Sequence, residues 1–228
     1  MNAEAKNWWP VEDTLSIIPG EMTPANLSIP YWSEQILTED EADAIYWKII
    51  ANYETKDLSR VYRLDGQGDE VNTESRYTHY YPIRSLPNAA DIEKKCNDAV
   101  NRCAQQWWSK SATAVYESQV LGYEERCHFR SHCDNSIFVN GAWTRNDPMR
   151  DLTTLLYVND SVPTAIKPTE YSGGELLFTN IQSPNGIVRL RPRKGQFVVF
   201  PSHPIYRHQV NTITRGYRIA IVNWWTLK

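Results

Sequence analysis

The chain has 228 residues, a formal net charge of -3 and a pI of about 6.0. Hydrophobic residues make up 41% of the sequence and charged residues 22%, values typical of a globular protein that buries a sizeable core. This balance lacks the strongly basic character of a tight nucleic-acid binder, and its apolar runs are shorter than the roughly 20 residues needed to cross a bilayer. We therefore expect neither a nucleic-acid partner nor a membrane partner.

The amino terminus and the cysteines together indicate a cytoplasmic protein. The first residues, Met1–Lys6, lack the charged-then-apolar pattern of a secretory signal. None of the four cysteines has the Cys-x-x-Cys spacing of a zinc site, so we interpret them as reduced thiols in a reducing compartment. These cysteines are Cys96, Cys103, Cys127 and Cys133.

The amino-terminal half of the chain is predicted to begin irregular and to become helical. Residues 1–35 contain several prolines and little periodicity, which favours an irregular arm. Thr38 followed by Glu41 is a capping box, and it predicts a helix that runs to about Tyr53. Apolar residues at helical spacing predict a second helix from Ala89 to about Ser109. We expect residues 36–110 to support the sheet that follows.

The segment between these helices is predicted to be a loop that carries short strands. Residues 54–75 are polar, whereas Arg60–Leu64 and Tyr77–Tyr81 have the composition of strands. Because loops of this region often close over the substrate in the kind of fold that the later strands predict, residues 60–80 are a candidate lid. His79 could contact such a substrate or be an ordinary histidine of a sheet.

From Ala114 onward the pattern changes to short strands separated by turn residues. The predicted strands are Ala114–Tyr123, Cys127–Asp134, Arg150–Asn159, Glu175–Phe178, Gly186–Arg191, Gln196–Phe200, His208–Thr212 and Arg218–Trp225. We interpret residues 160–172 as a loop and residues 135–149 as an insertion that leads away from the strand before it. The prediction is a mainly β fold with flanking helices, whose core at 114–226 is a double-stranded β-helix, the jelly roll of cupin-like proteins. Residues 36–228 are expected to form one domain.

Three side chains in these strands predict a metal centre. His132 and Asp134 are two residues apart, so on an extended strand they face the same way. With His208 they would form a set of two imidazoles and one carboxylate, which leaves three coordination positions of Fe(II) open. His203 competes with His208 as the third ligand, and the alternative for His132 and Asp134 is a structural hydrogen-bonded pair. Arg218 would supply a cation for a carboxylate-bearing cosubstrate.

The order of several motifs around these residues is more specific than any single motif. They are Phe129–Asp134, Arg150–Asn159, Tyr171–Phe178, Pro192–Ser202, His208–Val210, Thr214–Arg218 and Trp224. In this order they resemble the catalytic domain of the prolyl 4-hydroxylase-like 2-oxoglutarate/Fe(II)-dependent dioxygenases. The resemblance covers roughly residues 115–226.

The resemblance implies an activity, its cofactors and a role for each site residue. Fe(II) would be bound by His132, Asp134 and His208, and 2-oxoglutarate and dioxygen would be consumed while a C–H bond is hydroxylated and succinate and carbon dioxide are released. Ascorbate is a further expected stimulant. Arg218 would grip the C5 carboxylate of 2-oxoglutarate, Tyr157 would donate a second hydrogen bond to it, and Tyr123 would reach the C1 end.

The resemblance also leaves some residues open. Thr214 and Arg215 are weaker alternatives to Arg218. Phe129 stands where relatives often have tyrosine, which removes a hydroxyl group from the neighbourhood of the first ligand.

The same resemblance favours a peptidyl proline, or another protein residue, as the group that is hydroxylated. Trp143, Trp224 and Trp225 are candidates for an aromatic wall against such a peptide. The alternatives are a free amino acid or small metabolite, and a nucleic-acid dealkylase, which the acidic balance disfavours. An alternative from a different class is a non-catalytic jelly-roll binding module.

Overall fold

The computed structural model describes residues 31–52, 56–62, 69–86, 88–139, 141–183 and 186–228. The first thirty residues of the predicted arm, and residues 63 and 64 of the predicted Arg60–Leu64 strand, lie outside these described residues. Within them the protein has two α-helices, α1 (Glu39–Ala51) and α2 (Ala89–Trp108), and neither is long and apolar enough to cross a membrane. The rest is mainly β-structure.

Both helices form where the sequence predicts them, for identifiable reasons. The Thr38 N–H donates to Glu41 Oε2 at 2.9 Å and the Glu41 N–H donates to Thr38 Oγ1 at 3.3 Å, which completes the capping box of α1. In α2 the residues Ile92, Cys96 and Cys103 lie on one buried face. This helix ends at Ser109, which adopts a left-handed conformation with φ of 54°.

The strands are numbered in chain order. They are β1 (Trp32–Gln35), β2 (Asp57–Leu58), β3 (Val61–Tyr62), β4 (Asp69–Glu70), β5 (Arg76–Tyr77), β6 (His79–Pro82), β7 (Ala112–Ala114), β8 (Gln119–Tyr123), β9 (His128–His132), β10 (Ser136–Val139), β11 (Ala142–Arg145), β12 (Leu152–Tyr157), β13 (Asp160–Ser161), β14 (Glu170–Gly173), β15 (Leu176–Ser183), β16 (Gly186–Leu190), β17 (Gln196–Pro201), β18 (His208–Val210), β19 (Ile213–Gly216) and β20 (Arg218–Leu227). Short 3-10 turns lie at Ile83–Ser85 and Pro204–Tyr206.

Two large sheets form the jelly roll. The major sheet has eight strands in the order β1-β17-β12-β20-β8-β6-β2, with β7 also paired to β20. The minor sheet has five strands in the order β16-β15-β18-β9-β5. Smaller sheets are formed by β13, β14 and β19, by β10 with β11, and by β3 with β4. The predicted fold class is confirmed.

The central strands β12 and β20 are buried on both faces, and alternate side chains belong to two different cores. Leu156 and Ile221 point outward into a core shared with α1 and α2. Tyr157 and Val222 point inward, into the core between the two sheets. Because successive side chains of a strand point to opposite faces, one strand can serve both cores, and only the inner face is available for a site between the sheets.

The structure corrects several details of the predicted strands. Residues 160–172, predicted to be a loop, contain β13 and part of β14. The insertion at 135–149 does not lead away: β10 and β11 pair as an antiparallel hairpin that returns to the inner side of the jelly roll. An additional strand, β19, lies between the strands of His208 and Arg218, so Arg218 is not on the next strand as predicted.

Candidate functional site

Strand pairing brings the two histidines together. His208 of β18 is paired with His132 of β9, and the centroids of their rings are 4.4 Å apart. Asp134 approaches both: its Oδ1 is 3.6 Å from His132 Nε2 and its Oδ2 is 3.6 Å from His208 Nε2. The three potential ligand atoms all lie within 4.8 Å of one another, so they could hold one metal ion.

The hydrogen bonds of the two imidazoles fix the ring nitrogens that face the centre. His132 Nδ1 is 2.8 Å from the Arg130 carbonyl oxygen, and His208 Nδ1 is 3.0 Å from the Tyr206 carbonyl oxygen. A carbonyl only accepts, so each Nδ1 must carry the proton and donate it. In a neutral ring Nε2 then keeps its lone pair on the side that faces Asp134, and this is the form of imidazole that binds a metal.

Asp134 is held by a neighbour on the major sheet. The strand predicted to run to Asp134 ends at His132, so strand alternation does not orient the carboxylate. Instead Thr153 Oγ1 donates to Asp134 Oδ2 at 2.7 Å. Burial opposes ionisation, yet the positive charge of His208 when it is protonated in acid, together with His132 and the Thr153 hydroxyl, holds the pKa of Asp134 well below its usual range. Burial also lowers the pKa of His208 to about 4, so it is neutral at physiological pH.

Arg218 lies deeper between the sheets, among three tyrosines. It is paired with Tyr123 across β20 and β8, and its guanidinium carbon is 4.5 Å from the centroid of the Tyr123 ring and 5.3 Å from that of Tyr157. All three guanidinium nitrogens are buried without a hydrogen-bond partner among the described residues, as are the hydroxyl groups of Tyr157 and Tyr171. Burial raises the pKa of both tyrosines, so their hydroxyls remain donors. A pocket that offers donors and a cation suits a carboxylate.

Tyr171 is a residue of this pocket that the sequence analysis missed. The Tyr171–Phe178 motif contributes to the family resemblance, but Tyr171 itself is given no role there. Two glycines of this motif, Gly173 and Gly174, have positive φ. Gly174 also lies against the pocket: a Cβ there would come within 3.0 Å of both Arg218 Cδ and a ring carbon of Tyr171. The glycine is therefore needed for the close packing of the arginine and the tyrosine.

The metal-ligand candidates and Arg218 line one cavity of about 1030 Å³. Its walls include Tyr123, the segment 57–61, of which Arg60 and Val61 belong to the predicted lid, and the hairpin of β10 and β11. On the hairpin Phe138 packs against Trp143 with ring centroids 5.4 Å apart, and Phe138 is 56% exposed. The outer end of the cavity is thus a partly open apolar wall, whereas its inner end is polar and buried.

The residues that the sequence left as alternative ligands or cations lie away from the His132 cluster and Arg218. His203 is buried, and its Nδ1 accepts a hydrogen bond from the Ile205 N–H at 3.2 Å, so it caps the 3-10 turn and lies outside the His132 cluster. Thr214 and Arg215 are exposed on β19. The Cys133 thiol points away from the centre, toward the Ser202 carbonyl oxygen.

The three tryptophans differ in their surroundings. Trp143 and Trp224 line the cavity, and the guanidinium carbon of Arg150 is 4.1 Å from the centroid of a Trp224 ring. Trp225 was wrongly predicted to belong to this wall. It faces the outer core and donates to Thr154 Oγ1 at 2.9 Å. It is one residue from Trp224 on an extended strand and therefore points to the opposite face.

Phe129 places an aromatic ring beside His132, but it lacks the hydroxyl group that a tyrosine would add. Its ring stacks on His132 with centroids 3.5 Å apart and an interplanar angle of 15°. The guanidinium carbon of Arg76 lies 4.7 Å from the centroid of the same ring. Phe129 therefore positions the imidazole of His132 by stacking rather than by hydrogen bonding.

Comparison with known proteins agrees with this geometry. Residues 118–226 match the family model of the 2OG-Fe(II) oxygenase superfamily. Prolyl 3-hydroxylase 2 of Rattus norvegicus is 31% identical over 166 residues, which are 66% of this chain and 22% of that protein. A PKHD-type hydroxylase of Crocosphaera subtropica is 29% identical over 110 residues, 48% of this chain and 42% of that protein. The chain thus spans about a fifth of the length of the first relative and under half of the second.

Solved structures share the fold. A prolyl-4-hydroxylase of Pseudomonas putida superposes with a TM-score of 0.61 at 18% identity, covering 86% of this chain and 92% of that one. A prolyl hydroxylase of Trichoplax adhaerens, solved with a peptide fragment of the hypoxia inducible factor oxygen degradation domain, gives a TM-score of 0.65 at 16% identity. That match covers 94% of this chain and 95% of the other.

The cofactors that this superfamily implies, Fe(II) and 2-oxoglutarate, fit the residues present. Two imidazoles and one carboxylate are a donor set suited to Fe(II), and Arg218 with Tyr157 leaves buried donors that a dicarboxylate would satisfy. Family match, relatives, fold and donor set agree: residues 118–226 match the 2OG-Fe(II) oxygenase superfamily, and the chain is similar to its prolyl hydroxylase-like members.

Proposed function

We propose that this protein is an Fe(II)- and 2-oxoglutarate-dependent hydroxylase whose substrate is a polypeptide, most simply a proline within a flexible segment. The observation that carries the proposal is the convergence, in one cavity, of His132, Asp134 and His208 with the unpartnered Arg218. Bound Fe(II) with 2-oxoglutarate and dioxygen would supply oxidation of a C–H bond to C–OH, with 2-oxoglutarate converted to succinate and carbon dioxide.

The chain's own residues would bind the metal and keep it open to its cosubstrate. His132 and His208 would bind Fe(II) through Nε2, each ring held by its Nδ1–H bond to a backbone carbonyl. Asp134 would bind through one oxygen, while Thr153 holds the other at 2.7 Å. Three protein ligands on one side leave three of six positions for cosubstrate and oxygen.

Arg218 would orient 2-oxoglutarate. Its guanidinium can donate two parallel hydrogen bonds to the C5 carboxylate, and the hydroxyls of Tyr157 and Tyr171 can add further donors. Tyr123 covers one face of the guanidinium and limits its movement. The polar end of the cavity is thereby filled by the cosubstrate, and only the apolar end remains for the molecule that is hydroxylated.

The size and lining of the cavity favour a peptide over a free amino acid. A volume of about 1030 Å³ reaches the upper end of the roughly 300–1,000 Å³ of ordinary small-molecule pockets. Phe138 and Trp143 on the hairpin and Leu58 on the facing segment offer apolar surface for a proline ring and its neighbours. Both the prolyl hydroxylase relatives and the peptide-bound neighbour support this choice.

The test is hydroxylation of a library of proline-containing peptides by the Fe(II)-loaded protein, with ascorbate present or omitted. Tandem mass spectrometry would locate the gain of one oxygen atom, and a second assay would measure succinate. We expect hydroxylated proline that requires 2-oxoglutarate and disappears in Asp134→Ala. A free amino acid that is hydroxylated while every peptide is not would replace the peptide substrate; succinate formation without either would reject both.

A further inference from the structure

A second group of metal-binding side chains lies outside the cavity, at the turn that joins β8 to β9. The Cys127 N–H donates to the Glu124 carbonyl oxygen at 2.9 Å, and Arg126 has φ of 75°. β19 holds this turn through two hydrogen bonds, from the Arg126 N–H to the Ile213 carbonyl at 2.9 Å and from the Ile213 N–H to the Cys127 carbonyl at 3.0 Å. The side chains of Glu124 and Cys127 therefore start from a fixed backbone.

His79 completes the group from the neighbouring strand. It is paired with Gly122 in the β6–β8 ladder, and its Nε2 is 2.8 Å from Glu124 Oε1. One ligand atom from each of His79, Glu124 and Cys127 lies within 4.8 Å of the others. His79 and Cys127 are buried, with 5% and 0% of their surface exposed.

The neighbourhood of these three residues already attracts a cation and has access to solvent. Lys56 Nζ lies 3.4 Å from both carboxylate oxygens of Glu124. The Lys56 side chain is partly exposed and long, so it can withdraw into solvent and release the Glu124 carboxylate to an ion. Of the three ligand candidates His79 lines a cleft of about 550 Å³, together with Lys56, Leu58, Thr73 and Tyr77, and an ion and a water ligand would enter from this side.

We propose that His79, Glu124 and Cys127 bind a borderline divalent cation, of which Zn²⁺ is the physiological example, at a site separate from the iron centre. Nitrogen, oxygen and thiolate sulfur are the donors that Zn²⁺ prefers, and a water would complete four-fold coordination. The iron centre offers no thiolate, so the two sites differ in the metal that they favour.

Binding changes the protonation of two ligands. The Cys127 S–H bond breaks, a metal–sulfur bond forms and the proton passes to solvent. His79 gives up its Nε2–H, which in the empty site donates to Glu124, and carries its proton on Nδ1 instead.

A metal ion bound at this site would restrict the movement of the turn between β8 and β9, two strands that carry residues of the iron and Arg218 sites. Tyr123, which precedes Glu124, packs against Arg218, and β9, which follows Cys127, carries His132. A metal bound there would join this turn to β6. We therefore expect Zn²⁺ to raise the thermal unfolding temperature of the protein.

Cobalt(II) gives a test that does not depend on the hydroxylase activity, because thiolate bound to Co²⁺ produces a near-ultraviolet charge-transfer band. The whole 228-residue chain would carry Asp134→Ala and His208→Ala, which disable the first site, and Co²⁺ would be titrated anaerobically. We expect a thiolate band that saturates at one equivalent, is lost on adding Cys127→Ser, and disappears when Zn²⁺ displaces the cobalt. Cys96→Ser, at a buried thiol of α2 remote from the turn, is the matched control and should keep the band.

Three results would overturn the proposed site. They are the absence of a thiolate band in folded protein, a band that survives Cys127→Ser, and a band that Cys96→Ser abolishes as completely as Cys127→Ser does. If the double variant does not fold by circular dichroism, the wild-type chain serves instead. There the thiolate band should accompany the second equivalent of Co²⁺, and its absence contradicts the proposal. The cobalt titrations of the double variant and of the wild-type chain use neither 2-oxoglutarate nor a peptide. Failure of the proposed hydroxylation would therefore leave the result for this site unaffected, and absence of this site would leave the proposed hydroxylation unaffected.

Discussion

The two faces of β12 and β20 differ in whether their buried side chains find suitable partners, apolar contacts on one face and hydrogen bonds on the other. On the outer face Leu152, Leu156 and Ile221 pack with the helices in an apolar core. On the inner face Arg218 and Tyr157 are just as buried, yet their polar groups have no partner among the described residues. Because a buried polar group without a hydrogen bond destabilises a fold by ~1–3 kcal/mol, the inner face is built for a ligand and the outer face for stability.

The largest expected difference between the faces is in catalysis. Asp134→Ala removes the carboxylate ligand and should reduce succinate formation to the uncatalysed background, with iron binding weakened in parallel. Its matched control is Leu156→Ala on the outer face. That change should lower the free energy of unfolding by ~2–5 kcal/mol while turnover per folded molecule stays the same. Unchanged turnover in Asp134→Ala would remove the iron site from this account.

Arg218→Met should separate stability from cosubstrate binding. Loss of a charged hydrogen-bonded contact of ~1–3 kcal/mol predicts a KM for 2-oxoglutarate about 5 to 150 times higher. The free energy of unfolding without cosubstrate should stay the same or rise, since methionine fills the space without an unpartnered charge. Arg215→Met on exposed β19 is the control, expected to change neither quantity. An equal effect of both variants on KM would contradict the role of Arg218.

Thr153→Val examines how Asp134 is held. Valine has nearly the same shape but cannot donate to Asp134 Oδ2, so we expect iron affinity to fall by roughly 10-fold to 100-fold, the range for partners that orient a ligand. Thr154→Val, one residue along β12 but on the outer face, is the control. Iron affinity would be measured by competition with a chelator, and the idea fails if the two variants bind iron equally.

The smallest effect is expected from Tyr171→Phe, the pocket residue that the sequence analysis missed. Loss of one neutral hydrogen bond of ~0.5–1.5 kcal/mol predicts a KM for 2-oxoglutarate about 2 to 13 times higher. Tyr81→Phe removes a hydroxyl that is hydrogen-bonded to Tyr217 in the outer core and should leave this KM unchanged. A KM in Tyr171→Phe that equals the wild-type value would limit the pocket to Arg218 and Tyr157.

Local sequence signals predicted both helices and most strands, because each depends on neighbours a few residues away. The capping box of Thr38 and the apolar face of α2 are examples. The sequence also led to His132, Asp134 and His208, because the order of motifs resembles a known family. What it could not predict depends on tertiary contact. The return of the β10–β11 hairpin to the cavity, Thr153 holding Asp134 and Tyr171 beside Arg218 all arise from residues far apart in the chain.

The expectation that strand alternation orients Asp134 was wrong for the same reason. The carboxylate lies beyond the end of β9, where a hydrogen bond from the opposite sheet decides its direction. Trp225 was misplaced because a pair of adjacent tryptophans was treated as one surface, although neighbouring residues of a strand point to opposite faces.

The central claim, that one cavity holds Fe(II) beside a pocket for 2-oxoglutarate, is tested most directly by anaerobic titration of the Fe(II)-loaded protein with 2-oxoglutarate. We predict a weak visible charge-transfer band from the chelate, which saturates at one equivalent in wild-type protein and needs a higher concentration in Arg218→Met. No band despite tightly bound iron would mean that the open positions or the Arg218 pocket do not form, and would contradict the account.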